Sequence, residues 1–272
     1  MEIVMICIAI LLVLFTLYAL SVRGRTGHKG LSALQGWSYA HRGLHGKGIP
    51  ENSMAAFRAA LEGGYGIELD VHLMRDGGLA VIHDASLKRT AGMDVRIEDL
   101  TAEVLANYPL EGTGQIIPTL PQVLALFDGR APLIIELKPE GNNYAPLAQA
   151  ACDLLDSYKG AYCMESFDPR CIHWLKANRP NVIRGQLVEN FVGNKRSPLP
   201  LYLRFMLTHQ LENFLIQPDF VAYKFADRKT LGNLLVRKLW GVHGVTWTIT
   251  SQKDYDTAVE EGWLPTFEGF RP

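Results

Sequence analysis

The sequence predicts a (β/α)8 TIM barrel preceded by a single N-terminal transmembrane helix. Three observations carry this. An uncharged apolar stretch opens the chain, strand-length apolar runs then alternate with segments of helical periodicity, and the alternating region has the length of one barrel.

Ile3 to Leu20 holds no charge, and Thr16 and Tyr18 are its only polar members. At a rise of about 1.5 Å per residue it is just long enough to cross a bilayer core of roughly 30 Å. A cleavable signal peptide and a buried soluble helix are the competing readings. No lysine or arginine precedes the run and no clear A-x-A site follows it, which weighs against the signal peptide. Residues 1–22 are therefore read as a transmembrane anchor. Glu2 precedes the run, whereas Arg23, Arg25 and Lys29 follow it, so positive-inside bias places the body of this single-pass membrane protein on the cytoplasmic side. Cys7 lies in the span, and Cys152, Cys163 and Cys171 lack paired metal-type spacing. All four are read as free thiols. Residues 23–36, rich in glycine and small polar side chains, read as a juxtamembrane linker.

Residues 37–272 remain, close to the roughly 250 typical of one β/α barrel. A net charge of −1 leaves no basic surplus for nucleic acid. Strands are expected at Trp37–Ala40, Gly66–Val71, Leu79–Ile82, Pro132–Leu137, Ala161–Glu165, Val182–Leu187, Asp219–Lys224 and Gly244–Ile249. Their nearly continuous apolar character suits parallel strands covered on both faces. Asn52 is placed to cap the helix SMAAFRAALEGG, which the Gly63–Gly64 pair stops. Thr119 precedes a second helix, LPQVLALFDG, with Pro121 in its first turn. Further helices are expected at 145–158, 169–177, 200–215, 228–239 and 252–261. The gap from Asp84 to Ala131 exceeds what one helix needs. Residues 85–117 are therefore read as a loop excursion over the catalytic face, with a short helix near 101–106.

Alternation along a strand turns Glu68 and Asp70 the same way, and Glu136 and Lys138 likewise. Pointed into the barrel mouth, three carboxylates converge with a lysine beside them. Hard oxygen ligands suit Mg²⁺ or Ca²⁺, and the lack of cysteine ligands argues against structural zinc. A salt-bridge network or exposed strand ends would use the same residues. His41, Arg42, His83 and Asp84 also fall at strand C-termini, which favours a site. Two histidines suit general acid–base work, and the Arg42 guanidinium matches a phosphate. A cation, an arginine and a lysine form an electrophilic clamp for a phosphoryl group, so the fitting chemistry is phosphodiester cleavage.

The series HRG, PEN, ELDV and DGGLAVIHD, followed by IPTL, IIELKPE, ESFDP and VTWTI, resembles the glycerophosphodiester phosphodiesterase family from Trp37 onward. The resemblance implies a metal-dependent barrel hydrolase that cleaves glycerophosphodiesters to glycerol phosphate and an alcohol. It implies that His41 and His83 act as acid and base, that Glu68, Asp70 and Glu136 hold one divalent cation, and that Arg42 and Lys138 contact the phosphate. Glu51 matches a family carboxylate beside the site, and Asn52 a helix cap and pocket wall. The family mechanism has the substrate's glycerol hydroxyl attack phosphorus, giving a cyclic phosphate that water opens.

The chain departs from the family's DGIITD-like final strand. It reads LPTFEGFRP, leaving open whether Glu268 replaces the acidic residue. His72 is in phase with Glu68 and Asp70 but is placed past the strand's end, in a rim role. Asp84 either orients His83 or caps the next turn. Trp247 is either a pocket wall or barrel filling. His45 reads as a mobile-loop histidine in a loop that is no dinucleotide motif. The alternative functions are a lysophospholipase D or a lyase releasing a cyclic phosphate, and, from another class, an inactive membrane-bound binding barrel.

Overall fold

Short runs of Val, Ile and Leu buried on both faces become the staves of a closed barrel in the computed structural model, which describes residues 1–195 and 197–272. Among the described residues the staves are β1 (Tyr39–His41), β2 (Gly66–Leu73), β4 (Leu133–Leu137), β5 (Tyr162–Ser166), β6 (Arg184–Val188), β7 (Phe220–Lys224), β8 (His243–Ile249) and β9 (Leu264–Phe267). Each is parallel to its neighbours, and β1 pairs with both β2 and β9, which closes the ring.

Two expectations about the staves are corrected. The run Leu79–Ile82 is not a barrel strand: it forms β3 (Leu79–Val81), antiparallel to β2 and outside the ring. The intervening Asp76-Gly77-Gly78 turns the chain back on itself, with Gly77 at φ 82° and Met74 N–H donating to Gly78 O at 2.9 Å. A turn this tight permits only an antiparallel partner. The eighth stave is instead β9, from the LPTF of the C-terminal tail. It is four residues long and carries Pro265, so its strand signal is weak.

The helices cover the barrel. They are α2 (Met54–Glu62), α3 (Lys88–Ala91), α4 (Leu120–Phe127), α5 (Tyr144–Leu155), α6 (Pro169–Asn178), α7 (Leu201–Thr208), α8 (Asn213–Ile216), α9 (Leu231–Leu234, running into a π-turn over Leu235–Leu239) and α10 (Gln252–Glu260). Ser53, not Asn52, caps α2: its hydroxyl accepts the Ala56 N–H at 3.1 Å. Asn52 adopts φ 50° and turns its side chain to the site. The single helix expected over 200–215 divides into α7 and α8 because Gln210 takes φ 56°, which no helix accommodates. The excursion over 85–117 has a core of its own in Leu87, Ile97, Leu105 and Ile117, and its short helix is a 3₁₀ segment, Ala102–Asn107.

The chain opens with α1 (Glu2–Ser21), long and apolar enough to cross a membrane, and exposed from Glu2 to Leu17. The stretch 23–36 that follows is packed against the barrel. Arg25 donates to the fully buried Asp219 through Nε at 2.6 Å and Nη2 at 2.5 Å. A 3₁₀ turn, Lys29–Ala33, then seats Leu31, together with Leu34 beyond it, against Tyr39, Ile134, Ile183 and Phe220 and closes the barrel floor.

Asp219 also accepts the Arg184 backbone N–H at 3.0 Å. Truncating one member of such a buried pair leaves the other groups uncompensated. Asp219→Ala should therefore destabilise the fold by about 3 kcal/mol in chemical denaturation. A second expectation concerns Glu212, at the start of α8, which burial pushes up to about 8 from 4.5. The folded state then holds an extra proton between those values, so stability is greatest at the acid end and falls as pH rises through 8. In thermal melts from pH 5 to 9, Glu212→Gln should flatten that decline.

Candidate active site

β1 ends on His41, and the chain must then turn sharply to begin the loop into α2. Arg42 and Gly43 do this at φ 54° and 80°. A side chain at Gly43 would place its Cβ 2.9 Å from the Ala56 carbonyl carbon, so only glycine fits. The strained Arg42 backbone donates its N–H to Glu68 Oε2 at 3.2 Å. Its guanidinium reaches Glu51 Oε1 at 3.0 Å and approaches Asp70 Oδ2 at 3.4 Å. Asn52, beside it, donates to Asp70 Oδ2 at 2.8 Å.

The carboxylates follow from strand register. Asp70 on β2 stands opposite Glu136 on β4, and Glu136 stands opposite Glu165 on β5. Glu68, two residues before Asp70, faces the same way. Oxygen atoms of Glu68, Asp70 and Glu136 all lie within 4.8 Å of one another, and all three residues are buried. Lys138 Nζ sits 2.8 Å from Glu136 Oε1 and 3.1 Å from Asp70 Oδ1.

Charge in this cluster is unbalanced. Burial acts to raise Asp70, but Lys138, His83 and Arg42 hold it well below the ordinary carboxylate range. Glu68 has less help: burial first, then Asp70, Glu136 and Glu165, push it well above its usual value against the pull of Arg42. Burial raises Glu136 to about 7 against the pull of Lys138, and burial and Glu136 raise Glu165 far above normal. Four buried carboxylates therefore face one ammonium and one guanidinium, and Glu165 Oε2 has no hydrogen-bond partner among the described residues. A divalent cation among Glu68, Asp70 and Glu136 answers that surplus, and an all-oxygen donor set suits a hard ion. The residues present fit a metal.

His83 arrives by the hairpin. Ile82 N–H donates to Asp70 O at 3.0 Å, which carries the next residue to the barrel mouth. Its Nδ1 lies 2.6 Å from Asp84 Oδ1, as His41 Nδ1 lies 2.6 Å from Glu268 Oε2. An ionised carboxylate only accepts, so each ring carries its proton on Nδ1 and leaves Nε2 for other work. Desolvation lowers His83 from its usual value. The hydrogen bond from His41 lowers Glu268. Behind Asp84, Arg89 donates to it at 2.5 Å and to both Glu51 oxygens at 2.6 and 3.0 Å. Burial opposes it, yet Arg89 and His83 together hold Asp84 at about 2.

The placement of His72 beyond the strand is corrected. β2 runs on to Leu73, and His72 is buried within it, with Nδ1 2.9 Å from Glu98 Oε1 and Nε2 3.1 Å from the His83 carbonyl. It braces the chain that presents His83. His45 is half-buried, 3.7 Å from Glu268 Oε1, in a loop pinned by the Gly46–Ile49 bridge.

His41, Arg42, Glu68, His83, Glu136 and Lys138 share a cavity of about 100 Å³ with Phe167, Leu187 and Trp247. Trp247 anchors its Nε1–H on Ala222 O at 3.0 Å and meets Phe167 edge-on, ring centres 5.4 Å apart. One side of the mouth is thus charged, from β1 round to Glu165 on β5, and the other is apolar, with Phe167 just past β5, Leu187 on β6 and Trp247 on β8. Sequence reasoning passed over Glu165, Phe167 and Arg89. Phase with Glu136 across adjacent strands could have flagged Glu165, and the ESFDP segment Phe167. Nothing local marks Arg89, whose partners are distant in sequence.

A family model described as the glycerophosphoryl diester phosphodiesterase family matches residues 41–260. YhdW of Bacillus subtilis is 40% identical over 225 residues, covering 79% of this chain and 86% of its own. A glycerophosphodiester phosphodiesterase of Bacillus altitudinis is 44% identical over 113 residues, 39% of this chain and 46% of its own. The chain likewise spans less than half the length of other curated relatives, a rat lysophospholipase D among them. Among solved structures, a phosphodiesterase of Oleispira antarctica in complex with the product sn-glycerol-3-phosphate superposes with a TM-score of 0.72. It covers 90% of this chain and 95% of its own at 22% identity.

Binding of an ion to the folded state alone stabilises it by about 2.7 kcal/mol at a hundredfold excess over Kd. Mg²⁺ or Ca²⁺ should therefore raise the melting temperature of the purified protein. Glu68→Gln and Glu136→Gln should keep the fold, because each removes a repulsive buried charge, yet lose most of that rise. An equal rise in the variants would place the ion elsewhere.

Proposed function

The chain belongs to the glycerophosphoryl diester phosphodiesterase family, whose model matches residues 41–260, and on that premise we propose that it hydrolyses glycerophosphodiesters to glycerol phosphate and an alcohol. The observation that carries the reading is the pairing of a buried three-carboxylate cluster with two histidines, each backed by its own carboxylate. The product held by the Oleispira antarctica protein is of the same chemical class.

In this reading Glu68, Asp70 and Glu136 hold one divalent cation, Mg²⁺ or Ca²⁺, and the ion when bound supplies positive charge to a phosphoryl oxygen. Arg42 and Lys138 orient the phosphate; burial opposes the charge on each, and surrounding carboxylates hold both in their charged form. One of His41 and His83 removes the proton from the glycerol hydroxyl beside the phosphorus, and the other delivers a proton to the departing alcohol oxygen. The cyclic phosphate so formed is opened by water with the two proton roles exchanged. Glu51 fixes Arg42 and Arg89, Asn52 fixes Asp70, Asp84 and Glu268 hold the histidine rings, and Trp247 with Phe167 walls the cavity.

Residues 1–22 serve as a single-pass membrane anchor, 23–36 join it to the body, and 37–272 form the catalytic domain. Arg23, Arg25 and Lys29 behind the helix favour a cytoplasmic body. A second reading, lysophospholipase D activity, draws support from α1, which would bring lipid-derived phosphodiesters to the site, and from the lysophospholipase D relatives.

With Mg²⁺ or Ca²⁺ present, the protein should release glycerol 3-phosphate from a glycerophosphodiester, and His41→Ala and His83→Ala should each lower turnover by about 10²-fold or more. Phosphorus NMR follows the product. A cyclic phosphate that persists would make the enzyme a lyase, and full activity in both variants would remove the histidines from the mechanism.

A further inference from the structure

The direction in which α1 leaves the barrel is set by its last turns. Arg25 N–H donates to Pro218 O, just before β7 begins, at the floor end of the barrel. Three residues back, Val22 packs with Val221, Val236 and Val242 on the barrel's flank. Further back, Tyr18 lies beside Gly232, at the start of α9, and its ring meets that of His209, centres 6.2 Å apart. A helix that follows a barrel strand starts at the strand's C-terminal, catalytic end. Read backwards, the chain climbs from floor to rim, and from Leu17 to Glu2 it is exposed. At 1.5 Å per residue it extends roughly 20 Å or more beyond the catalytic rim.

The rim beside that exit is apolar. Leu201, Tyr202, Phe205 and Met206 on α7 are exposed, as are Phe214 and Leu231, and an apolar cleft of about 580 Å³ lies between Leu17 and Tyr18 on one side and Phe205, Met206, Phe214 and Leu231 on the other. An exposed apolar surface continuous with a helix long and apolar enough to cross a bilayer is fitted by the bilayer surface. The same side of the rim connects to the active site. Arg204 of α7 donates to Phe191 O and Val192 O, both at 2.6 Å. Phe191 meets Phe167 edge-on at 6.1 Å, and Phe167 meets Trp247 in the apolar half of the mouth.

We propose that the catalytic mouth faces the membrane, with α7 seated in the lipid headgroup layer. An amphiphilic phosphodiester of the lysophospholipid class, the substrate of the second reading above, would then enter from the bilayer side. Its phosphate enters the charged half of the mouth while its acyl chain runs over Phe167 and Phe191 toward α7. The orientation rests on the path of α1, on the exposed apolar face of α7 and on the reading of α1 as an anchor; the substrate class rests on the phosphodiesterase reading.

The full chain with Cys7→Ser, whose remaining cysteines are buried, is labelled with an environment-sensitive fluorophore at Phe205→Cys or, on the barrel floor, at Ser32→Cys. In phosphatidylcholine vesicles carrying spin-labelled lipid, quenching should be at least fivefold stronger at 205 than at 32. Equal quenching, stronger quenching at 32, or failure to float with the vesicles overturns the orientation. So does a blue-shifted but unquenched signal at 205, the result of a second protein copy covering α7. In a separate assay, Leu201→Glu/Phe205→Glu should lower hydrolysis of a long-chain lysophosphatidylcholine in vesicles by tenfold or more. Hydrolysis of water-soluble glycerophosphocholine should stay within twofold. Equal loss on both substrates overturns the acyl route. Wild-type protein inert toward both sinks the phosphodiesterase reading instead, while the quenching pattern still decides the orientation.

Discussion

Four buried carboxylates around one lysine set the terms for the rest of this molecule. Glu68, Asp70, Glu136 and Glu165 are brought together because β2, β4 and β5 are adjacent, parallel and in register. Buried at the base of the mouth they keep little contact with water, so their charge must be answered locally. Lys138 answers part of it by standing between Asp70 and Glu136. Arg42 answers another part, at the cost of a left-handed backbone that only the Gly43 turn makes reachable. What remains is a standing demand for a cation, expressed as carboxyl groups on Glu68, Glu136 and Glu165 that burial drives upward.

The charge imbalance also explains why the outer residues are arranged as a chain and not as isolated pairs. Arg42 is shared between Asp70 and Glu51, Glu51 between Arg42 and Arg89, and Arg89 between Glu51 and Asp84, which holds His83. The outer links, through Arg89, are partly exposed, and an exposed ion pair by itself contributes little. Linked, they tie the hairpin that presents His83 to the strand end that presents Arg42. The two histidines thus come from unrelated parts of the chain and are held in one frame by electrostatics, while His72 secures the same hairpin through its backbone.

Much of this was legible in the sequence, and the failures have physical causes. The period-2 alternation of β2 and β4 placed Glu68, Asp70, Glu136 and Lys138 on one side because a covered parallel strand leaves a side chain only two directions. The topology of β3 was misjudged because an apolar run gives length and burial but not direction. The Asp76-Gly77-Gly78 turn held the missing information. β9 was passed over because Pro265 weakens a strand signal that ring closure alone compensates. Glu268 could not be settled since its value lies in meeting His41 across the β1–β9 seam, a contact that exists only once the barrel has closed. Asn52 was given a cap's role that Ser53 fills, because two adjacent cap-competent residues are indistinguishable until one of them finds a buried carboxylate to serve.

The segment between α1 and β1 reads as a linker by composition, yet several of its residues answer to packing against the barrel. Gly24 has no room for a side chain: a Cβ there would fall 2.6 Å from Pro218 O. Val22 is fully buried, Arg25 is locked to Asp219, and Leu31 and Leu34 stop the barrel floor. At Gly24 the missing side chain permits close packing against the barrel wall, which is the opposite of freedom. A tether of that composition left in solvent would let the barrel face any direction relative to α1. Held at the floor by Gly24, Arg25, Leu31 and Leu34, it fixes the end of α1 against the barrel's flank and so fixes the direction in which α1 leaves.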